Sequence, residues 1–351
     1  MCKRVMKHQT TRYGEIPFYK IGTFGNTADA FISKKLFLEY KTKYSFPKKG
    51  DILISASGTI GRAVIYDGKP AYFQDSNIVW IDNNETLVKN DFLFYAYSNI
   101  KWNTEHTTIL RLYNDNFRNT LIPLPPLNEQ AAIANILSDV DRYLYSLDAL
   151  ILKKESVKKA LSFELLSQRK RLKGFNQAWQ KVRLGDIANY LTSNLSAEQI
   201  TQQGKIKVYD VNNFIGYTDT TFISDKPYIS IVKDGSVGRV RILPPKTNIL
   251  STMGALIANH KTTTEFLFYL LSNFDFKNFT SGSIIPHIYF KDYKEKTIFL
   301  PPLDEQIAIA NILSGLDSEI ISLKNKKRQF ENIKKALNHD LMSAKIRVLN
   351  K

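Results

Sequence analysis

A short loop bracketed by two glycines carries side chains that are suited to binding an anionic ligand. Residues 58–61 lie between Ser55 and Ser57 on one side and Arg62 on the other, and they include Thr59. Hydroxyl and guanidinium groups hydrogen-bond phosphate oxygens and base edges, and glycine lets backbone amides approach a phosphate closely. The same spacing also fits a plain hairpin turn in which the glycines supply positive φ angles. The sequence leaves both interpretations open.

The second half of the chain repeats this loop at residues 235–238. The polar and basic candidates there are Lys233, Ser236 and Arg239.

Patterns for catalysis are weak in this sequence. Asp51 followed by Asp67-Gly68-Lys69 imitates a nuclease pattern, but an Asp-Gly pair is more typical of a turn. The five histidines and one cysteine show no metal-ligand spacing. We find no Walker-type loop or glycine-rich cofactor loop either. We therefore expect no catalytic residue, no metal and no cofactor.

Long helices must position these loops, and the chain contains the same helical sequence twice. Residues 125–172 and 301–348 align without a gap, and about half of the positions are identical. Each copy starts with two prolines and then Asn128 or Asp304, which are good N-cap residues. Apolar residues then recur in steps of four and three, which is typical of a coiled-coil seam. The seam positions are Ile133, Leu137, Val140, Leu144, Leu147 and Ile151 in the first copy, with Ile309, Leu313, Leu316, Ile320, Leu323, Phe330, Ile333, Leu337 and Leu341 in the second.

The seam is interrupted near Lys154 and Lys327 and resumes at Val157 and Phe330. Since only one face of each helix is apolar, each helix needs a partner, and the other copy is the obvious one. An ordinary helical bundle is the alternative.

The segments between the helices are β-rich and related to each other. Residues 229–239 align with the strand and loop around residues 52–62, and Phe214 aligns with Phe24. The predicted fold class is α+β, with two β-rich domains alternating with two long helices. The predicted boundaries are 1–124, 125–175, 176–300 and 301–351.

Composition limits the type of partner and the location. The net charge of +16 and pI of about 9.6 favour a polyanionic partner. A single cysteine, Cys2, excludes a disulfide framework. No apolar run approaches the roughly 18 residues of a membrane span, and no apolar signal core follows residues 1–7. We expect a cytoplasmic protein with no membrane contact.

The chain resembles a specificity (S) subunit of a Type I restriction-modification enzyme. The resemblance rests on the Leu-Pro-Pro-Leu-Asn-Glu-Gln and Leu-Pro-Pro-Leu-Asp-Glu-Gln motifs that begin at Leu124 and Leu300. It also rests on residues 49–61, on residues 179–187 and on the Ile-Pro-His-Ile sequence at residues 285–288. It covers nearly the whole chain.

In that family each globular domain is a target recognition domain that binds one half of a bipartite double-stranded DNA site. The helices form an antiparallel coiled coil that sets the spacer and docks two methyltransferase subunits, which a restriction/translocase subunit joins in some complexes. The resemblance implies that the docking residues are Glu129, Gln130 and Ile133 in the first helix, with Glu305, Gln306 and Ile309 in the second. Ser281, Ser283 and His287, just ahead of the second long helix, resemble a loop of the family that lies near the DNA, although a lone histidine is more often structural than a ligand. The resemblance also implies that the chain itself is not an enzyme.

One departure from the family pattern concerns the first domain. The second domain begins with Trp179 and the Leu184-to-Ile187 segment, and nothing comparable precedes Gly14. We therefore expect a first recognition domain that is short at its N-terminus. Two other functions stay open, namely a stand-alone DNA-cleaving or DNA-methylating enzyme and a coiled-coil adaptor without a role on DNA.

Overall fold

The computed structural model describes residues 1–102 and 111–349. They fall into two compact units. Residues 1–148 and 326–351 form the first, and residues 149–325 form the second. Each unit therefore combines one β-rich segment with parts of both long helices. The four-part division along the chain stays a prediction.

The first unit is built on two small sheets. Its strands are β1 Ile16–Tyr19, β2 Phe31–Ile32, β3 Ile52–Ser55, β4 Ala63–Ile65, β5 Tyr72–Phe73 and β6 Ile78–Trp80. Its helices are α1 Lys34–Lys43, α2 Asn90–Tyr97, α3 Asn114–Arg118, the first part of α4, Leu127–Leu166, and the last part of α7, Leu303–Met342. The strand orders are β2-β1-β5, with β5 parallel to β1, and the antiparallel β4-β3-β6. β3 is buried along its whole length because it is the central strand of its sheet.

The second unit has the same plan with additional strands. Its strands are β7 Gln180–Arg183, β8 Ala188–Thr192, β9 Ile206–Tyr209, β10 Phe214–Thr218, β11 Tyr228–Val232, β12 Val240–Leu243, β13 Asn248–Ile249, β14 Met253–Ala258 and β15 Thr297–Leu300. The helices are the last part of α4, α5 Thr264–Ser272, α6 Phe290–Tyr293 and the first part of α7. β10-β9-β13 and β12-β11-β14 repeat the two sheets of the first unit, and β8 adds a fourth strand beside β14. β7 and β15 form a separate antiparallel pair.

Both predicted long helices are present, with 40 residues each. At ~1.5 Å per residue each is about 60 Å long. α4 begins at Leu127, earlier than the predicted cap at Asn128, because the amide of Gln130 already donates to the carbonyl of Pro126 at 2.9 Å. α7 begins in the same way at Leu303, so Pro126 and Pro302 are the N-cap residues, and the assignments of Asn128 and Asp304 were wrong by two positions.

Within each unit the two helices pair in antiparallel fashion. In the first unit Lys327 pairs with Asp148 at 2.7 Å, and Lys334 pairs with Asp141. In the second unit Lys154 pairs with Glu319 at 2.8 Å. Residue numbers rise along α4 as they fall along α7, which is the antiparallel arrangement that the family resemblance implied.

The predicted seam is buried or half-buried at most of its positions and fails at one equivalent pair of positions in the two helices. Ile133, Leu137 and Leu313 are at most 2% exposed, and Ile151 and Leu341 are 6% and 5% exposed, but Val157 is 39% and Ile333 is 51% exposed. Half-buried lysines with cross-helix acidic partners, such as Lys154 and Lys334, lie along the interface there instead. A lysine stem covers apolar surface while its ammonium group reaches the rim, so a basic residue can occupy a position that periodicity assigns to an apolar one.

Candidate nucleic-acid interface

The glycine-bracketed loops are the turns of two equivalent hairpins. Residues 58–61 join β3 to β4, and residues 235–238 join β11 to β12. All four glycines have positive φ, between +66° and +83°. The amide of Gly61 donates to the carbonyl of Ser55, and the amide of Gly238 donates to the carbonyl of Val232. Part of the hydrogen-bonding capacity of each loop backbone is therefore satisfied within the hairpin. The hairpin interpretation is confirmed, and it leaves the solvent face of each loop available to a ligand.

An aromatic ring packs against the closing glycine of each loop. A Cβ atom at Gly61 would lie 2.6 Å from Cδ1 of Trp102, and one at Gly238 would lie 2.6 Å from Cδ2 of Phe276. Real side chains do not approach that closely. The glycines are therefore required by the packing as well as by their φ angles, and the rings fix the loops in place.

Two of the predicted contact residues of the first loop are buried. Ser55 is 1% exposed, and its hydroxyl donates to the carbonyl of Thr59 and accepts from the amide of Arg62 at 2.9 Å. Ser57 is 6% exposed and donates to Oδ1 of Asn77 at 2.7 Å. Both serines shape the hairpin, and in this conformation neither presents its hydroxyl to an external ligand.

Thr59 and Arg62 are exposed, and the structure adds a third residue to them. Arg62 donates through Nη1 to the carbonyl of Phe24 at 2.9 Å, which ties one guanidinium nitrogen to the protein. Arg111 forms a β-bridge with Ser57 beside the loop and is exposed. Arg111 was not among the predicted residues, although Arg-Leu-Tyr at residues 111–113 aligns with His-Ile-Tyr at residues 287–289.

The second hairpin presents its predicted residues more openly. Ser236 and Arg239 are exposed and Lys233 is half-buried. The amide of Gly235 donates to the carbonyl of Pro286 at 2.9 Å. The hairpin loop and the segment 281–287 are therefore side by side, and the structure brings these two groups of predicted residues together.

Residues 281–287 form a small closed loop. The backbones of Ser281 and His287 exchange hydrogen bonds of 2.9 and 2.7 Å. Nδ1 of His287 lies 2.6 Å from Oδ1 of Asp234. Ser283 is exposed, and Ile284 is 92% exposed at the tip. His287 therefore has a structural partner, as the structural alternative predicted, and it stands where Arg111 stands in the first unit.

The six residues that the resemblance assigned to subunit docking are buried. They are between 0 and 2% exposed: Glu129, Gln130, Ile133, Glu305, Gln306 and Ile309. Gln130 donates to the carbonyls of Leu87 and Pro125 at 2.9 and 2.8 Å. Gln306 makes the equivalent bonds to Lys261 and Pro301 at 3.0 and 2.8 Å. In this conformation these side chains tie each helix start to its own unit, and subunit docking by these six residues stays a prediction.

Glu129 and Glu305 each bind an arginine from the C-terminal end of the other repeated segment. Arg171 binds both carboxylate oxygens of Glu305, and Trp179 donates its indole N–H to the same carboxylate at 3.0 Å. Arg347 binds Glu129 through two bonds of 2.6 Å. These bonds lower the pKa of Glu129 and raise the pKa of Arg171. The carboxylates are therefore structural ion-pair partners.

The aspartates of the nuclease-like pattern serve turns. Oδ2 of Asp51 accepts from the amide of Lys48 at 2.7 Å, and Oδ1 of Asp67 accepts from the amide of Lys69 at 2.9 Å. Among residues 1–102 and 111–349 there is no group of three histidine, cysteine or acidic side chains placed to hold a metal ion. Within the same residues, no helix has the length and apolar character needed to cross a membrane.

Comparison with known proteins identifies the family. Residues 1–154 and 176–332 match the family described as the Type I restriction modification DNA specificity domain. Over 138 residues the chain is 64% identical to a proposed type I restriction enzyme specificity subunit of Haemophilus influenzae, covering 39% of this chain and 36% of that one. It is 30% identical over 335 residues to a proposed specificity subunit of Methanocaldococcus jannaschii, covering 85% and 79% of the two chains.

A solved structure shares the fold. The Type I restriction-modification S subunit of M. genitalium matches with a TM-score of 0.63 at 20% identity, over 97% of this chain and 92% of that one. The twofold repeat, the paired helices and the matched family domains agree, and the chain belongs to the family of Type I restriction-modification specificity subunits.

Proposed function

We propose that this chain selects the DNA site for a Type I restriction-modification complex, with each unit binding one half of a bipartite double-stranded site. The observation that carries this proposal is the repeated surface of a hairpin loop beside a second segment, represented by Arg111 in the first unit and by residues 281–287 in the second. Each copy presents basic residues, Arg62 and Arg111 in one unit and Arg239 with His287 in the other. Side chains on a rigid support can distinguish base edges, while the net charge of +16 supplies attraction to phosphates.

Methyltransferase subunits are the proposed partners at the helices, and a restriction/translocase subunit joins them in larger complexes. The chain would contribute recognition and its partners the chemistry, without a cofactor of its own. Purified chain with S-adenosylmethionine or Mg²⁺ and plasmid DNA should give neither methylation nor cleavage. Turnover by the chain alone would favour the alternative of a stand-alone enzyme.

Variants that change the loops of one unit test whether each unit binds one half-site. Arg239→Ala should weaken the base preference in only one half of the methylated motif. Arg62→Ala combined with Arg111→Ala should weaken it only in the other half. A base contact is worth about 1–3 kcal/mol, or roughly 5- to 150-fold in affinity, and contacts at separate positions add. Removing a phosphate-binding side chain would instead weaken the affinity for all sequences alike, and it would reduce the salt slope by about 0.9 for each phosphate released.

The readout is methylome sequencing of cells carrying the methyltransferase partner, supported by salt titrations of the reconstituted complex. Lys35→Ala and Lys226→Ala are matched controls, because each removes an exposed positive charge away from the loops of its unit. Binding that responds equally to controls and loop variants would contradict the proposed interface. A complex that assembles with the methyltransferase but never shifts DNA would favour the adaptor alternative.

A further inference from the structure

We propose that Ile284 contacts the 5-methyl group of a thymine in the half-site that the second unit binds. The inference rests on the proposed function and deepens it, because it names one feature of one base and the residue that contacts it. Ile284 is 92% exposed, and its neighbour Ile285 is 54% exposed. Both lie at the tip of the loop 281–287, beside the hairpin loop 235–238. An isoleucine left in water forgoes the free energy of burial, which contact with an apolar group of a ligand supplies.

Backbone contacts hold the loop against the hairpin close to its tip. Besides the bond between the hairpin loop and the carbonyl of Pro286, the amide of Ile288 donates to the carbonyl of Lys233 at 2.9 Å. Gly282 has a φ of +91°, and a Cβ atom there would collide with the carbonyl oxygen of Ile285. The loop therefore closes tightly at this glycine, and the backbone sets the position of the two isoleucines relative to the hairpin.

The surroundings of the tip are polar and basic, which favours DNA over an apolar protein surface as the ligand. Ser283, the residue before the tip, is exposed, and so are Ser236 and Arg239 on the hairpin. The carboxylate of Asp234 lies 2.6 Å from Nδ1 of His287, so it has a partner within the protein. An apolar tip beside hydroxyl and guanidinium groups matches a ligand that offers phosphates, polar base edges and an apolar group close together.

The apolar group that base edges present in the major groove of duplex DNA is the 5-methyl group of thymine. Contact with it leaves the duplex undeformed. The other apolar contact that side chains make with DNA is insertion between base pairs, which must first offset the energy of unstacking a base step. A methyl contact also discriminates between bases, because cytosine has no methyl group at that position. It therefore gives the tip a role in specificity without deforming the DNA.

Replacing thymine by uracil tests the proposal, because the two bases differ only in the 5-methyl group. Methylome sequencing first gives the motif. Each thymine of the motif is then replaced by uracil, one position at a time, in a fluorescein-labelled duplex, and the affinity of the reconstituted methyltransferase complex is measured by anisotropy. At one position the loss of the methyl group should weaken binding about fourfold, the effect of one buried methyl group. That position should lie in the half-site that Arg239→Ala alters.

On the protein side, Ile284→Ala should bind the thymine and uracil duplexes equally at that position, and the double-mutant cycle isolates this one contact. Phe222→Ala is the matched control, because Phe222 is an exposed apolar residue of the second unit at the other end of β11. Its neighbour Ile223 donates to Thr247, which bonds Tyr228 at the start of that strand. The control should keep the fourfold preference, and circular dichroism would verify that both variants fold.

Four results would overturn the proposal. The first is a motif in which no thymine responds to uracil, and the second is a fourfold preference that survives Ile284→Ala. The third is 2-aminopurine, placed away from the methylated base, whose fluorescence rises on binding only when Ile284 is present, since that would assign insertion between base pairs. The fourth is loss of methyltransferase binding by Ile284→Ala, which would make the tip a protein contact.

The Arg239→Ala variant separates this proposal from the proposed function. If it alters one half-site while uracil has no effect, only the methyl contact fails. If it alters neither half-site, the division of the site between the units fails, and a uracil effect that Ile284→Ala removes would still support the methyl contact.

Discussion

The two glycines of each hairpin loop allow a sharp test of how the loops are held. Gly235 and Gly238 have almost the same φ, +83° and +80°, but only a Cβ at Gly238 would collide with a neighbouring ring. A Cβ at Gly235 would meet nothing within 4 Å. The left-handed conformation costs a residue with a Cβ about 1–2 kcal/mol. Forcing a methyl group into packed surroundings costs a further 1–3 kcal/mol or so.

We therefore expect Gly235→Ala to lower the free energy of unfolding of the second unit by about 1–2 kcal/mol, and Gly238→Ala by roughly 2–5 kcal/mol. The first unit repeats the pair. A Cβ at Gly58 would make an ordinary 3.5 Å contact with Ile21, and one at Gly61 would overlap Trp102. Gly58→Ala should be the milder change there.

Urea unfolding followed by circular dichroism measures these losses in the free energy of unfolding. A transition is assigned to the unit whose glycine variants shift it. Under the proposed function, Gly238→Ala should also weaken the base preference in one half of the methylated motif and leave the other half unchanged. Equal costs for Gly235→Ala and Gly238→Ala would refute the argument that Phe276 fixes the loop.

Three further expectations concern the helices. Gly315→Ala should stabilise the protein by about 0.5–1 kcal/mol in urea unfolding, because Gly315 lies inside α7 with nothing within 4 Å of its would-be Cβ. The lowered pKa of Glu129 should make its stabilising contribution present above the ordinary value of 4.5 and lost as pH falls through the lowered value, so Glu129→Gln should flatten the acid dependence of the urea midpoint. If the two units bind the two halves of one site, as proposed, seven-residue insertions after Lys154 and after Ile320, next to the Lys154–Glu319 ion pair, should keep the seam in register and lengthen the non-specific gap of the motif by about three base pairs. An active variant with an unchanged gap would contradict this.

The family, the repeat and the long helices could be predicted from the sequence because they depend on local patterns. Proline pairs stop the preceding segment, and the four-three spacing of apolar residues puts them on one helix face. Glycine pairs predict a turn because few other residues adopt positive φ. These signals are contained within a few neighbouring residues, so they can be recognised before any tertiary contact is known.

Which side chains face a ligand was decided by the tertiary structure. Ser57 and Arg62 look equally suited to DNA in the sequence. The hydroxyl of Ser57, however, donates to Asn77, twenty residues away, and is buried. Glu129 and Glu305 lie in a first helical turn, where local sequence suggests exposed charges, but the distant residues Arg347 and Arg171, together with Trp179 at Glu305, bind them in the interior. Arg111 joins the candidate site because its strand-like segment pairs with residue 57 across the fold. Burial and pairing of this kind depend on residues far apart in the chain, and local spacing carries no information about them.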